Sequence, residues 1–200
     1  MKPLIIDNLL PSVYQNELEN TISHLPFYYT DSIGYDENSP KTEGYKFLDN
    51  IGFSHALILD GKIESQYWNV FKPILYFFTD KTGISIKDIL RVRLRLTVQH
   101  PNRKDYLFNK PHTDLMGHKG PYKTLVYYIN DSDGNTYIFD KFLNRKEDLK
   151  ETLKNIDQHI ILKQKPKKGT GIYFEGHQYH SGNTPINYKS RYVINFDFTI

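Results

Sequence analysis

The hydrophobic and polar positions of this chain change period near its middle, and the change divides it. Residues 3–10 are apolar without clean alternation and suit a short strand. Pro11-Ser12 then opens a helix expected to reach about Ser23, with Val13, Leu18, Ile22 and Leu25 on one face and Pro26 ending it. Residues 27–54 mix Tyr, Gly, Asp, Asn and Pro with no steady period. They predict loops around a short strand, serving either as a lid over a site or as an ordinary surface excursion. Over residues 62–82, Ile63, Tyr67, Val70, Phe71, Ile74, Leu75 and Phe78 recur at three- and four-residue steps. The longest helix is expected there, kinked or split at Pro73 and stopped at Gly83.

At Ile89 the period drops to two. Arg91, Arg93 and Arg95 point one way, and Val92, Leu94 and Leu96 the other. The plainest reading of the arginines is a solvated face whose aliphatic stems cover a neighbour. The other reading has one of them at the mouth of a site, touching substrate. Residues 100–103 read as a turn. Strands are expected at 123–130, at 136–139 as its hairpin partner across the 131–135 turn, at 160–163, at 171–175 and at 190–196. Residues 144–157 are dense in Lys and Glu, with Leu149, Leu153 and Ile156 at helical spacing, and suit a short exposed helix with a solvated charged face. The second half has no βαβ alternation. The expected fold is therefore mainly β with flanking N-terminal helices (α+β), a jelly-roll or cupin-like barrel.

Composition sharpens this. Sixteen Tyr and twelve Phe favour a β-rich core. The 200 residues suit one domain, with 1–87 as helical and loop support carrying the candidate lid and 88–200 as the barrel. A net charge of +3 gives nucleic-acid binding little support. No apolar run approaches a membrane span, and the N-terminal residues lack a signal-peptide layout, so a soluble cytoplasmic protein is expected. With no Cys, a disulfide frame, a thiolate metal site and a Cys nucleophile are excluded.

The candidate chemistry lies in His112-Thr113-Asp114 and in the stretch from Lys165 onward. A His and an Asp two apart in an extended segment share a face. A downstream His, either His177 or His180 in Glu175-Gly-His-Gln-Tyr-His180, can complete two imidazoles and one carboxylate on one side of a metal, leaving the opposite positions free. That facial arrangement suits non-haem Fe(II). Downstream, Ser190-Arg191-Tyr192-Val193-Ile194-Asn195-Phe196 reads as a strand carrying one Arg. A buried Arg needs an anion, and its planar fork suits a carboxylate.

These residues resemble the Fe(II)- and 2-oxoglutarate-dependent dioxygenases, in the branch similar to prolyl hydroxylases, over roughly residues 88–199. The length and the Lys, Asn, Ile and Tyr usage look like the small dioxygenases of phage genomes. The resemblance implies a double-stranded β-helix with His112, Asp114 and His180 as catalytic iron ligands; the Gly182 and Pro185 that follow His180 match its pattern. It also implies that Arg191, eleven residues after His180, grips the far carboxylate of 2-oxoglutarate. Lys189 is the rival cation. Tyr128, in Tyr127-Tyr128-Ile129-Asn130, would donate its hydroxyl to the cosubstrate, and Asn195 shares a strand face with Arg191 and could line that pocket. The turn departs from the pattern, with Gly134-Asn135 where two Gly are usual. Fe(II), 2-oxoglutarate and O2 are implied, with ascorbate a candidate stimulant, and the reaction would hydroxylate a C–H bond while releasing succinate and CO2. The substrate would be a prolyl or other peptide residue, or a small molecule. Two other readings stand beside this one. His-Asp-His also suits a zinc hydrolase or isomerase on a cupin-like barrel, which would leave Arg191 and Tyr128 idle. A sugar-binding jelly roll would use the Tyr but leave the triad unexplained.

Overall fold

The computed structural model describes residues 2–30, 51–100, 108–144 and 149–200. The expected lid at 27–54 and turn at 100–103 therefore lie largely outside the described residues. At the centre of the fold is a long antiparallel pair, β5 (Ile89–Val98) and β11 (Ser190–Phe198). β6 (Lys123–Tyr128), β9 (Gly171–Glu175) and β1 (Leu4–Ile6) extend the sheet beyond β11. β3 (Gly52–Leu59) and β2 (Tyr28–Thr30) extend it beyond β5, and β4 (Lys62–Ile63) also pairs with β3. A second sheet places β7 (Thr136–Phe142) between β10 (Gln178–Gly182) and β8 (Ile160–Gln164). Every pairing is antiparallel. The expected jelly roll is what the chain forms.

Alternation decides what each face of the large sheet does. Leu94, Ile194, Phe196, Phe198, Leu125 and Tyr127 are buried beneath α1 (Ser12–Ile22) and α3 (Pro73–Thr82), through Leu18, Ile22, Ile74 and Phe78. The residues between them face the second sheet, where Val126, Tyr128, Ile172, Phe174 and Val193 close on Ile138. The sheet is thus buried on both faces, and the arginines of β5 correct the solvated-face expectation. Arg91 and Arg95 are each only 8% exposed. Leucines and valines fill the face under the helices, so the charged face is the barrel interior.

Local chemistry explains where other expectations hold or fail. Gly83, with φ of 70°, ends α3 as expected, and the chain divides at Pro73, which follows α2 (Trp68–Phe71) by one residue. Helix does not begin at 62, however. Asp60 and Gly61 both take positive φ, a tight turn that folds Lys62–Ile63 back onto β3. Val13 leaves the expected apolar face of α1 and is 80% exposed, while Leu18 and Ile22 are buried. β7 is not the hairpin partner of β6. Both edges of β6 are already taken by β9 and β11, so the chain must cross to the other sheet. Asp133 anchors that crossing by accepting from the backbone N–H groups of Ile186 and Asn187. Of the expected helix at 144–157, α4 (Leu149–Leu153) forms, followed by a 3-10 turn at Ile156–His159. Leu153 and Ile156 are buried beside Phe108, Tyr137, Phe139 and Tyr179, a small second core.

Phe78 ties α3 to the sheet, its ring 5.2 Å from Tyr173 and 5.8 Å from Phe198. Phe78→Ala is expected to lower stability by about 3–5 kcal/mol, read as a lower urea midpoint. Val13→Ala on the exposed flank should stay within about 0.5 kcal/mol. Equal losses at the two positions would contradict this packing.

Candidate metal centre

The three candidate ligands come from two separate parts of the chain. His112 follows Pro111 and forms an isolated bridge with His180, each donating its backbone N–H to the other's carbonyl at 2.9 Å. His180 lies mid-strand in β10, where the ladder to β7 is irregular between Gln178 and His180. Such irregularities re-aim side chains. Asp114 opens the turn after the bridge. The nitrogens of His112 and His180 and a carboxylate oxygen of Asp114 lie within 4.8 Å of one another.

Second partners orient each ligand. Nδ1–H of His112 donates to the Lys110 carbonyl and Nδ1–H of His180 to the Gln178 carbonyl, both at 3.2 Å. A carbonyl only accepts, so each ring donates through Nδ1 and turns Nε2 toward the site. His180 Nε2 lies 3.3 Å from Asp114 Oδ2, and against the effect of burial that carboxylate raises the His180 imidazole pKa. Burial pushes the His112 imidazole down to about 3, aided by His180, so it stays neutral. Asp114 is gripped by Arg91, whose Nη2 lies 2.5 Å from Oδ1 and whose Nη1 donates to the Asp114 carbonyl at 2.6 Å. Burial alone would raise the Asp114 carboxyl; Arg91 and His180 overcome that and hold it well below the usual carboxylate range. The same guanidinium binds Asp197, with Nε donating to Oδ2 at 3.0 Å, while the Thr124 hydroxyl donates to Oδ1 at 2.7 Å.

Beside the triad is a small pocket of about 50 Å³, lined by Thr97, Val126, Thr136, Arg191, Val193 and Asn195 among others. Arg191 is buried, and its Nη2 donates to the Thr136 hydroxyl at 2.8 Å, but its Nε has no acceptor. No carboxylate among the described residues meets it. Burial lowers its pKa. Tyr128 lies against it, with the guanidinium 5.9 Å from the ring centre. The Tyr128 hydroxyl, near Arg191 and Thr136, makes no hydrogen bond of good geometry; burial pushes its pKa up to about 12, so it keeps its proton. Asn195 donates to Asp114 Oδ2 at 3.3 Å and leaves its own carbonyl oxygen unpaired. Ten buried side-chain polar atoms lack partners among the described residues, and five belong to this pocket's lining: Thr97, Asn109, His180, Arg191 and Asn195. Buried polar groups are seldom left unpaired, so this concentration marks a place built for a polar ligand. A metal ion fits the adjoining triad by the same test, since His180 Nε2, though 3.3 Å from Asp114 Oδ2, makes no hydrogen bond of good geometry.

The rivals separate by position. Lys189 is exposed, before β11 begins. Tyr127 faces the helices. His177 sits on the turn after β9, where its Nε2 meets the Gly120 carbonyl at 2.9 Å, outside the triad. His118 lines the mouth and His100 is exposed, apart from the triad. Asp197 and Thr136 belong to the site and were not foreseen in it, and Arg91, one of three arginines weighed as a substrate contact, binds Asp114 and Asp197 instead. A lone Asp amid the apolar Ile194-Asn-Phe-Asp-Phe198, on the Arg191 face of the strand, was the available signal for Asp197.

No family sequence model and no curated protein matches the chain in sequence. Solved structures do match in shape. A 2OG-Fe(II) oxygenase family oxidoreductase from Burkholderia pseudomallei superposes with a TM-score of 0.65 at 11% identity, over 98% of this chain and 84% of that one. A prolyl hydroxylase from Trichoplax adhaerens, solved with a hypoxia inducible factor peptide fragment, gives 0.58 at 15%, over 98% and 82%. The epimerase SnoN from nogalamycin biosynthesis, solved with Fe3+ and alpha ketoglutarate, gives 0.61 at 11%, over 98% and 78%. The chain has the fold that these 2-oxoglutarate and iron oxygenases share.

Removing the Arg91 fork leaves two carboxylates buried together. Arg91→Met should cost the metal-free protein about 3–5 kcal/mol near neutrality. Burial already raises the Asp197 carboxyl to about 6, with Asp114 adding to the rise. Without the cation the Asp197 value lies higher still, and Asp114 loses the group that holds it low. The native state then binds more protons than the unfolded chain, so stability falls as pH rises through and above about 4. The deficit should be larger at pH 8 than at pH 5 in paired urea titrations; a pH-independent deficit would contradict the charge argument.

Proposed function

We propose that this protein is an Fe(II)- and 2-oxoglutarate-dependent oxygenase that hydroxylates a C–H bond of its substrate. One observation carries the reading: a buried guanidinium with no carboxylate partner among the described residues, Arg191, shares a small pocket with a His-Asp-His cluster. In this assignment His112, Asp114 and His180 hold the metal. Arg191, with the Tyr128 hydroxyl, receives the far carboxylate of 2-oxoglutarate, and Asn195 lines the same pocket. When bound, iron and 2-oxoglutarate supply the oxidative step, in which the keto acid and O2 become succinate, CO2 and one oxygen atom placed in the substrate.

The chain's own residues bind, orient and exclude water. Arg91 keeps Asp114 ionised and fixed, which a hard cation requires of a carboxylate ligand. The backbone carbonyls of Lys110 and Gln178 set the two imidazole tautomers. Phe174, 5.0 Å from the His180 ring, and Val126 and Val193 exclude water behind the pocket. The zinc-hydrolase reading gives the buried Arg191 nothing to do. A prolyl or other peptide residue is the substrate suggested by the relatives in shape, with a small molecule the other class.

Anaerobic addition of Fe(II) and 2-oxoglutarate should produce the weak visible metal-to-ligand charge-transfer band. His180→Ala should lose it and His177→Ala should keep it; the reverse would move the ligand by three residues. Asp114→Ala should abolish iron-dependent succinate release in the folded protein, and undiminished turnover there would sink the triad.

Arg191→Met tests the cosubstrate assignment apart from the metal. Losing one partner of a buried charged pair costs about 3–5 kcal/mol, so the 2-oxoglutarate requirement should rise roughly a hundredfold or more. Iron affinity should change little. If Lys189→Met produces this effect and Arg191→Met does not, the wrong cation has been chosen.

A further inference from the structure

A second, much larger cavity of about 1120 Å³ opens on the other side of the triad and is bordered by His112, Asp114, Arg91, Arg93, Arg95 and Trp68. Its charge is uneven. Five Lys or Arg line it (Lys72, Lys87, Arg91, Arg93 and Arg95) against three Asp (Asp60, Asp88 and Asp114). Most of these are already engaged. Arg91 is spent on Asp114 and Asp197. Lys87 donates to the Ile200 carbonyl at 2.9 Å, Lys72 lies over the Tyr76 ring, and Asp88 accepts from the Thr199 hydroxyl.

Arg93 and Arg95 differ from the rest. Neither side chain makes a hydrogen bond or ion pair with any described residue, although both lie on the interior face of β5. Arg95 is 8% exposed, lies opposite Val193 of β11, and borders both this cavity and the small pocket. Arg93, two residues away on the same face, is half-buried and stands opposite Asn195. A guanidinium buried without an anion is a standing cost, kept where a ligand repays it. Arg191 already provides a cation for the cosubstrate, so Arg93 and Arg95 are a second, separate anion site on the substrate side.

Building on the oxygenase reading, we infer that the substrate is anionic, carrying a carboxylate or phosphate that Arg95 and Arg93 hold against the floor of the large cavity. The planar forks of two arginines on one strand face suit an oxyanion with several acceptor oxygens. An uncharged prolyl segment would leave the buried Arg95 and the half-buried Arg93 unmatched. The substrate class is thereby narrowed to acids, phosphorylated compounds, or a peptide with an acidic group beside the oxidised residue.

The test uses the full chain loaded with Mn(II) and 2-oxoglutarate, titrated calorimetrically with inorganic phosphate and with acetate at constant ionic strength. Saturable binding of at least one anion is expected, weakened at least tenfold in both Arg93→Met and Arg95→Met. Tighter phosphate binding points to a phosphorylated substrate and tighter acetate binding to a carboxylate. Absence of saturable binding in the wild type, or binding unchanged in the two variants, overturns the proposal. Melting temperature provides an independent readout. Arg95→Met removes an unmatched buried charge and should raise it in the ligand-free protein, whereas a fall would make Arg95 structural and overturn the proposal. Loss of 2-oxoglutarate affinity in Arg95→Met with anion binding intact would assign Arg95 to the cosubstrate and overturn it too. The wild-type charge-transfer band reads the oxygenase assignment separately, so either inference can fail alone.

Discussion

The register between β5 and β11 decides what the site can be, and the opposite face of the same two strands sets that register. Val92, Leu94, Ile194 and Phe196 must lie under the helices, because sliding one strand by one residue would drive arginines into an apolar core. With those residues in place, Asp197 falls opposite Arg91, Asn195 opposite Arg93 and Val193 opposite Arg95. A slip of β11 by two would keep the apolar face intact yet hand Asp197 to Arg93, so that Arg91 would no longer bridge Asp114 and Asp197. Packing on the outside of the sheet therefore fixes electrostatics on the inside.

The interior face then sorts its cations by whether the protein itself neutralises them. Arg91 meets two carboxylates and becomes part of the frame. Among the described residues, Arg191 meets a hydroxyl and an aromatic face but no anion. Arg95 has neither, and burial together with Arg93 and Arg91 pushes its pKa down to about 9, which still leaves it charged near neutrality. Each unmatched cation subtracts from the stability of the free protein and adds to the affinity for whatever anion completes it. The free chain should accordingly sit below its stability optimum and gain stability on loading, as proteins do when function requires unsatisfied groups.

The parts of this arrangement that follow from local chemistry could be read from the chain, and the parts that depend on partners could not. Period-two alternation located β5 and β11, and the turn at Gly176 separated His177 from His180. Parity also paired Arg191 with Asn195. Parity alone could not say which face of β5 was inside, since an apolar face normally marks the core and here marks only one of two buried sides. The Asp133-Gly134 signal found a turn but not its destination, because sheet membership depends on β9 and β11 having already claimed the edges of β6. Asp197 was missed for a similar reason: its meaning lies in Arg91, which is 106 residues earlier.

The two sheets meet at the triad through different kinds of bond. His112 is joined to the small sheet by two backbone hydrogen bonds to His180, while two residues later Asp114 is joined to the large sheet by its side chain and carbonyl to Arg91. The loop from 110 to 114 thus crosses from one sheet to the other inside five residues, with no slack. A cation held by His112, Asp114 and His180 would add a third connection at the same place, tying β10 to β5 through its own ligands. The distance between the sheets and the geometry of the metal would then be one constraint, because neither sheet can shift without moving a ligand.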